Sequence, residues 1–435
     1  MTQIAVVGAG YVGLTTAACM AHLGHSVICA DIVEDKIASL RTGVIPIVED
    51  GLQALVQEGL ESGRLTFVLG AATAAPGQEV VFLCVPTPQR PDGSADMSFI
   101  EIAAKQISPI LAPGSIVVNK STVPVGSTRV VEEALQRSDI LVVSNPEFLR
   151  EGSAVHDFLN PDRIVIGSDD QAAAIRIAGL YSGINAPIVT TDPASAETIK
   201  YASNAFLATK ISFVNAIANL CEAVGADVRD VILGIGYDGR IGFEFLKPGP
   251  GWGGSCLPKD TKALVSIADN AGYDFRLLKG VISVNEEQKE IIIRKILGRL
   301  GGAARGSKIA VWGLTFKART DDLRDSPALE IALRLAAEGW KVAAYDPTFS
   351  PESPRSGSEI ANLSSRGIDV RMDPYAACEG ADVLAVLTEW DEFRWLDFGK
   401  VAGAMSRKQI VDGRNLLDGS QLKRLGFSYE GVGRA

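Results

Sequence analysis

Apolar residues near the start of the chain fall in short unbroken runs, Ile4 to Val7, Ser26 to Ala30, Val80 to Val85, Ser115 to Asn119 and Ile140 to Val143, with stretches of helical spacing between them. A run that is apolar at consecutive positions fills both faces of a strand. Its regular alternation with helices therefore predicts a parallel sheet covered on both sides. A second set of this kind begins at Lys308 to Gly313 and continues through Lys341 to Tyr345, Val383 to Leu387 and Gln409 to Val411. The segment between the two sets has another character. Asp192 and Pro193 form an N-cap and first-turn pair, and no Gly or Pro then interrupts Ala194 to Val224 before Gly225. That predicts a helix of about 45 Å, long enough to link two α/β domains and to contribute to a dimer interface. Further helical patterns cover 260–270 and 281–300.

Composition narrows the class. A chain of 435 residues exceeds what one hydrophobic core supports, and 47% apolar with 22% charged residues leaves no room for a large disordered fraction. The net charge of −10 argues against a nucleic-acid binder, which needs surplus cations to displace counterions from phosphates. No unbroken run of 18 apolar residues occurs, and the N-terminus enters a strand without a basic leader. The expectation is a cytoplasmic protein without membrane contact. The six cysteines contain no C-x-x-C pair, so neither a metal site nor a disulfide framework is expected. Cys19, Cys29, Cys84 and Cys221 sit in apolar runs, where a thiol behaves as a small hydrophobe.

Gly8-Ala9-Gly10-Tyr11-Val12-Gly13 reads G-x-G-x-x-G, a weak signal in a chain with 44 glycines until its context is added. It follows a strand, opens a helix, and is followed by Asp31 at the end of the next strand. This is the dinucleotide fingerprint, in which Gly8 permits the tight turn, Gly10 admits the pyrophosphate and Gly13 allows close helix packing. Asp31 accepts hydrogen bonds from ribose hydroxyls and repels a 2′-phosphate, so NAD is favoured over NADP, while nearby Lys36 weakens that preference. The expected fold is α/β, with two Rossmann-like domains of parallel sheet joined by an all-α central domain containing the long helix. The boundaries read 1–192, 193–303 and 304–435.

Residues 234–256 hold eight glycines, which lets backbone approach a ligand closely. They end in Gly253-Gly254-Ser255-Cys256-Leu257-Pro258-Lys259-Asp260, where Pro258 suits a helix first turn. Cys256 then stands at a helix N-terminus beside Lys259, two influences that favour thiolate. Asp260 falls on the same helix face and can act as a base or orient a water, or can simply complement the helix dipole. A nicotinamide site with an activated cysteine implies alcohol oxidation carried through a thiohemiacetal and a thioester to the acid, consuming two NAD. Lys200 and Asn204 share a face of the long helix and can stabilise an oxyanion, although such residues alone are usually solvated.

These motifs, together with Lys120-Ser121-Thr122-Val123-Pro124-Val125-Gly126, Asn145-Pro146-Glu147-Phe148-Leu149-Arg150-Glu151-Gly152 and Gly313-Leu314-Thr315-Phe316-Lys317, resemble the UDP-glucose 6-dehydrogenases of the wider UDP-glucose/GDP-mannose dehydrogenase family across nearly the whole chain. The resemblance implies four-electron oxidation of UDP-glucose to UDP-glucuronate, with GDP-mannose or another nucleotide sugar as the alternative substrate. It implies Cys256 as the thioester-forming nucleophile, Asp260 and Thr122 as the pair that places a water, Lys200 and Asn204 as oxyanion stabilisers, and Glu147 as the acid/base group of the later steps. Implied substrate contacts are Phe148, Leu149, Glu151, Lys200, Asn204, Phe245, Leu246, Lys247, Gly253, Lys317 and Arg414, with Arg240 reaching the neighbouring subunit of a homodimer. Implied NAD contacts beyond the fingerprint and Lys36 are Thr87, Thr122, Glu151, Lys259 and Arg324. Cys256 is expected in the cleft between domains. Trp252 departs from the glycine-rich pattern and is expected to stack on a sugar or to wall the pocket.

Overall fold

The computed structural model describes residues 1–90, 93–302, 306–349 and 356–434. The boundary expected between residues 303 and 304 lies outside the described residues. The chain divides into two compact units, residues 1–203 with 262–273, and residues 204–261 with 274–435. Of the three divisions, two fall inside the helices Pro193–Val224 and Leu257–Asn270 and the third lies between Tyr273 and Asp274, in the loop that follows.

The first unit is built on an eight-stranded sheet of β1 (Gln3–Val7), β2 (Ser26–Asp31), β3 (Leu65–Leu69), β4 (Val80–Leu83), β5 (Ile116–Asn119), β6 (Leu141–Ser144), β7 (Ile164–Gly167) and β8 (Ile188–Thr191). Its spatial order is β3-β2-β1-β4-β5-β6-β7-β8. All neighbours are parallel except β6 and β7, which meet antiparallel at Ser144 and Gly167. The unbroken apolar runs have the predicted cause. Ile4, Val6, Val80, Phe82, Ile116 and Val118 face one core with the helix Tyr11–His22, while Ala5, Val7, Val81, Leu83 and Val117 face a second core on the opposite side. Covering both faces removes the polar positions that a half-exposed strand would show.

The second unit repeats the plan with β9 (Lys308–Trp312), β10 (Lys341–Tyr345), β11 (Ile368–Arg371), β12 (Val383–Val386), β13 (Gln409–Asp412) and β14 (Ser428–Glu430), ordered β11-β10-β9-β12-β13-β14 and wholly parallel. Ile309 and Val311 enter one core and Ala310 and Trp312 the other. Helix Arg276–Leu300 packs Ile292, Ile293 and Ile296 into the first of these cores, where Ala218 and Cys221 of the long helix also lie. The long helix starts at Pro193 and ends at Val224, within one residue of its predicted start. It is long and apolar enough by length and composition to cross a bilayer, though no unbroken 18-residue apolar run occurs in it. It also buries Glu197, Lys200, Asn204 and Asn215, groups that find partners inside protein.

Candidate active site

The first unit presents a dinucleotide cradle. Gly8 has φ +102°, and a Cβ on it would stand 2.6 Å from the Cys84 carbonyl oxygen; one on Gly13 would lie 1.8 Å from the Gly8 carbonyl oxygen. No side chain fits at either position. Gly10, at the N-cap of Tyr11–His22, has nothing within 4 Å of its would-be Cβ. The space faces backbone N–H groups at a helix N-terminus, which suits a pyrophosphate. Asp31 ends β2 and accepts from Ala9 N at 2.9 Å, Val33 N at 3.0 Å and Lys36 Nζ at 2.9 Å. Burial pushes its carboxyl upward, but these hydrogen bonds and the Lys36 charge outweigh burial and hold it below the usual carboxylate range. Lys36 is thus tied to Asp31 itself.

Tyr11 does more than occupy a variable position of the fingerprint. Its hydroxyl donates to the Glu49 carboxylate, and the Gly152 N–H donates to both Tyr11 Oη and Glu49 Oε2 at 2.7 Å. The cofactor loop is thereby fastened to the turn that carries Phe148, Leu149 and Glu151. Val12 packs on the core below, and Thr87 Oγ1 donates to the Thr122 carbonyl at 2.8 Å, fixing the turn after β5. Glu49 has no motif around it and was not singled out from the sequence. Its burial, which pushes its pKa up, appears only in the folded chain.

Beside that turn, Glu147 and Lys200 form a buried ion pair, with Nζ 2.8 Å from Oε1 and side-chain exposures of 5% and 4%. Glu147 Oε2 accepts from Leu149 N at 2.7 Å. Burial alone would raise the Glu147 pKa; the Lys200 charge and hydrogen bond, the Leu149 N–H and the Lys120 charge together bring it below the ordinary value. The Lys200 ammonium also stands 5.5 Å from the centre of the Phe148 ring, with the Arg163 guanidinium 3.5 Å from the same ring. This set is a carboxylate held ionised, away from bulk water, by a cation one bond away.

In the second unit, Cys256 immediately precedes the helix Leu257–Asn270, and its carbonyl accepts from Asp260 N at 2.9 Å. It is half-buried, whereas the other five cysteines are buried, and no disulfide involves any of the six. Burial pushes Cys19, Cys84 and Cys378 up to about 12, so those thiols stay protonated at neutral pH. Ser255 Oγ is 3.5 Å from the Cys256 sulfur. Asp260, 1% exposed, accepts from Asn204 Nδ2 at 2.6 Å and Lys259 Nζ at 2.6 Å. The Lys259 ammonium, read from the sequence as an influence on the thiol, is bound to Asp260, and Asn204 is bound to the same carboxylate.

The glycines before Cys256 are needed for close approach. A Cβ on Gly253 would fall 2.0 Å from the Asp325 carbonyl oxygen, and one on Gly254, at φ +82°, 2.8 Å from the Phe316 ring. Gly249 is clamped by Asn215 Oδ1, which accepts from its N–H at 2.8 Å, and by Gln288 Nε2, which donates to its carbonyl at 2.9 Å. Arg414 reaches the same place, donating through Nε to the Leu387 carbonyl at 2.9 Å and through Nη2 to the Phe316 carbonyl at 3.0 Å. Phe245 takes a left-handed φ of +62° and Leu246 is buried, leaving Lys247 exposed. Lys317 lies 5.5 Å over the Phe316 ring. The loops bearing Gly249, Gly254, Lys317 and Arg414 therefore converge within this unit. Trp252 is 7% exposed and donates through Nε1 to Ser212 Oγ at 2.9 Å, so its indole anchors the loop to the long helix. Arg240, 89% exposed and paired with Asp238, stays apart from these loops, and Arg324 pairs with Asp322.

Two buried aspartates organise these loops, and neither was singled out from the sequence. Asp346 follows β10 as Asp31 ends β2, but it is fully buried and accepts from Leu314 N at 2.7 Å, Thr315 N at 3.0 Å and Thr315 Oγ1 at 3.1 Å. Those donors all meet Oδ2, and Oδ1 accepts from Thr348 N at 3.0 Å and Thr348 Oγ1 at 2.8 Å, so both oxygens are taken by neighbouring loop groups and none is open to a ribose, which gives a physical reason why this sheet is no second copy of the NAD site. Asp412 similarly accepts from Arg414 N at 3.1 Å, Leu417 N at 2.7 Å and Tyr429 Oη at 3.0 Å. The strand-then-Asp pattern shared with Asp31 is the signal that would have found Asp346.

Comparison with known proteins agrees with this geometry. Residues 2–185 match the NAD binding domain of the UDP-glucose/GDP-mannose dehydrogenase family, residues 194–287 its central domain and residues 310–419 its UDP binding domain. A UDP-glucose 6-dehydrogenase of Rhizobium meliloti is 47% identical, with 99% of each chain covered, and one of Bacillus subtilis is 45% identical over 100% of this chain and 94% of its own. The solved UDP-glucose dehydrogenase of Pyrobaculum islandicum superposes with a TM-score of 0.90 at 37% identity, covering 100% of this chain and 98% of that one. With its cofactor cradle, its cysteine at a helix N-terminus and its converging cationic loops, the chain belongs to the UDP-glucose/GDP-mannose dehydrogenase family.

Proposed function

We propose that this chain oxidises UDP-glucose to UDP-glucuronate, reducing two NAD per sugar through covalent intermediates on Cys256. The observation that carries the reading is the half-buried Cys256 at a helix N-terminus, next to an Asp260 already bonded to Asn204. NAD supplies the hydride acceptor for both oxidations. The cradle of Gly8, Gly10 and Gly13 and the Asp31 carboxylate suit it, with Tyr11, Val12, Lys36, Thr87, Thr122, Glu151, Lys259 and Arg324 as further contacts.

Thr122 and Asp260 position a water that takes the proton of the C6 hydroxyl as the aldehyde forms. The Cys256 thiolate adds to that carbonyl, and Lys200 and Asn204 stabilise the oxygen as charge develops on it. Glu147 takes the thiohemiacetal proton in the second oxidation, giving a thioester. It then removes a proton from the water that hydrolyses the thioester, releasing carboxylate and restoring the thiol. The sum is alcohol, water and two NAD giving carboxylate, two NADH and three protons. Lys247, Lys317 and Arg414 provide the local cations that a diphosphate needs on an acidic protein, and Phe148, Leu149, Glu151, Phe245, Leu246 and Gly253 shape the sugar site. This assigns cofactor binding to 1–192, the cysteine loop and long helix to 193–303 and the nucleotide sugar to 304–435. Cytoplasmic residence fits six cysteines outside any disulfide.

The reading extends to a homodimer. Phe206, Phe213 and Leu220 recur every seven residues along the long helix at 65%, 52% and 55% exposure, a stripe too apolar to be left in water, and the exposed Arg240 is free of the loops of its own chain for use by a second copy. The deciding experiment counts NADH released per sugar with UDP-glucose, GDP-mannose and UDP-N-acetylglucosamine offered separately. Two per UDP-glucose, with Cys256→Ser stalled before the acid, is the expected result. One NADH per sugar, or full acid formation by Cys256→Ser, refutes the mechanism.

A further inference from the structure

We propose that Lys120 is a positioning residue for the reaction: its buried ammonium locks the two strand ends that carry Thr122 and Glu147 and supplies part of the field that keeps Glu147 ionised. This rests on the role assigned above to Glu147. Lys120 follows β5, two residues before Thr122, and Asn145 follows β6, two residues before Glu147. A lysine 3% exposed at the end of a sheet strand requires an explanation, because removing an ammonium from water is unfavourable unless it is well partnered.

Its partners are specific. Lys120 Nζ donates to Asn145 Oδ1 at 3.0 Å and lies 3.4 Å from Tyr181 Oη, which itself donates to Asn145 Oδ1 at 2.6 Å. Asn145 Nδ2 donates to the Val165 carbonyl at 2.8 Å, and Asn145 N to the Asn119 carbonyl at 2.9 Å. One amide side chain therefore ties β5, β6 and β7 together where the sheet reverses direction, at the antiparallel contact of Ser144 with Gly167. A single parallel-sheet register cannot hold that point, and the Lys120–Asn145–Tyr181 network does so instead. The rings of Phe82, Phe158 and Tyr181 surround the ammonium at 5.8 to 6.0 Å, a cationic site built of π faces and neutral acceptors. None of these hydrogen-bond partners is a carboxylate; the Glu147 charge acts on Lys120 through space, and Glu147 also feels Lys200. The groups facing it are Cys84, Glu147, Lys200, Cys19 and Tyr181, and burial brings its pKa down to about 8.

The consequence is a division of labour between two cations around one carboxylate. Lys200 bonds Glu147 directly and is assigned to the reacting oxygen, so its charge is partly diverted during turnover. Lys120 hydrogen-bonds no group assigned to the reaction, and while protonated, below its pKa of about 8, it biases Glu147 toward the base form. Loss of Lys120 should raise the pH at which Glu147 becomes a competent base and loosen the Asn145 turn.

The test compares the wild-type enzyme with Lys120→Met and Tyr181→Phe. For Lys120→Met, kcat with UDP-glucose is expected to fall about tenfold to a hundredfold, the scale of a misplaced or wrongly protonated general base, with KM for UDP-glucose and NAD held within about threefold. The acid limb of its kcat profile should move to higher pH, and in rapid-quench experiments release of the second NADH and of the acid, the two steps that use Glu147 as base, should slow while release of the first NADH does not. Tyr181→Phe keeps the charge and removes one bond to Asn145, so it should lower kcat about threefold to tenfold with the acid limb unmoved. If Lys120→Met does not fold, Tyr181→Phe alone decides: unchanged kcat overturns the proposal. An unmoved acid limb, or an unslowed second NADH release, in a folded Lys120→Met also overturns it. A wild-type yield of one NADH per sugar would instead defeat the mechanism on which Glu147's role depends, a separate failure.

Discussion

Replacing Lys200 by Met removes the cation from a pair whose side chains are 4% and 5% exposed and leaves the Glu147 carboxylate buried with the Leu149 N–H as its remaining close donor. Breaking a buried pair from one side costs about 3 to 5 kcal/mol of stability at neutral pH, because the surviving charge keeps its desolvation penalty without compensation. The sign of the pH dependence follows from linkage. In the wild type the folded Glu147 has a lowered pKa, so its contribution is fully present above the unfolded value of about 4.3 and is lost only as pH falls through the folded one. In Lys200→Met, burial wins and the folded pKa rises above the unfolded value. The native state then binds more protons than the unfolded state, and stability declines as pH rises through the window between them, by at most about 1.4 kcal/mol per pH unit. Urea unfolding at intervals from pH 5 to 8 reads this directly: the wild-type midpoint should be nearly flat with respect to this group, and the gap to the variant should widen with pH. A gap below about 1 kcal/mol at pH 7, or one of equal size at pH 5 and pH 7, would refute the argument that an uncompensated buried carboxylate dominates.

Gly13→Ala sets a Cβ 1.8 Å from the Gly8 carbonyl oxygen, so NAD affinity measured by calorimetry should fall more than about tenfold along with the melting temperature; ordinary affinity would mean that the turn yields more easily than backbone against backbone allows. Phe213→Glu places a charge in the apolar stripe of the long helix and should shift sedimentation from dimer to monomer, an outcome that an unchanged sedimentation coefficient would contradict. Asp346→Asn turns one acceptor oxygen into a donor facing the Leu314 and Thr315 N–H groups, which should destabilise by about 1 to 3 kcal/mol and raise KM for the nucleotide sugar as the Lys317 loop loosens; an unaltered melting temperature and KM would mean that the loop holds itself.

Periodicity alone determined that the chain is two parallel-sheet α/β regions around a long helix, because a strand buried on both faces must be apolar at every position and a 31-residue stretch without Gly or Pro has few alternatives to helix. The tight fingerprint turn and the place of Cys256 just before a helix were equally legible, since both depend on local geometry written in consecutive residues. Strands β3, β7, β8, β11 and β14 were not singled out, and two of them show why: β8 carries exposed Ile188 and Val189, and β14 is three residues long, so neither has the apolar run of a central strand. What only the tertiary structure decided is which polar groups find one another. Lys200 with Glu147 is separated by 53 residues, Asn204 with Asp260 by 56, and Leu314 with Asp346 by 32. No local pattern encodes such pairings, because each depends on the strand order and on the burial that makes an unpartnered charge intolerable. For the same reason the bond from the Trp252 indole to Ser212, 40 residues away, could not be read from the linear sequence.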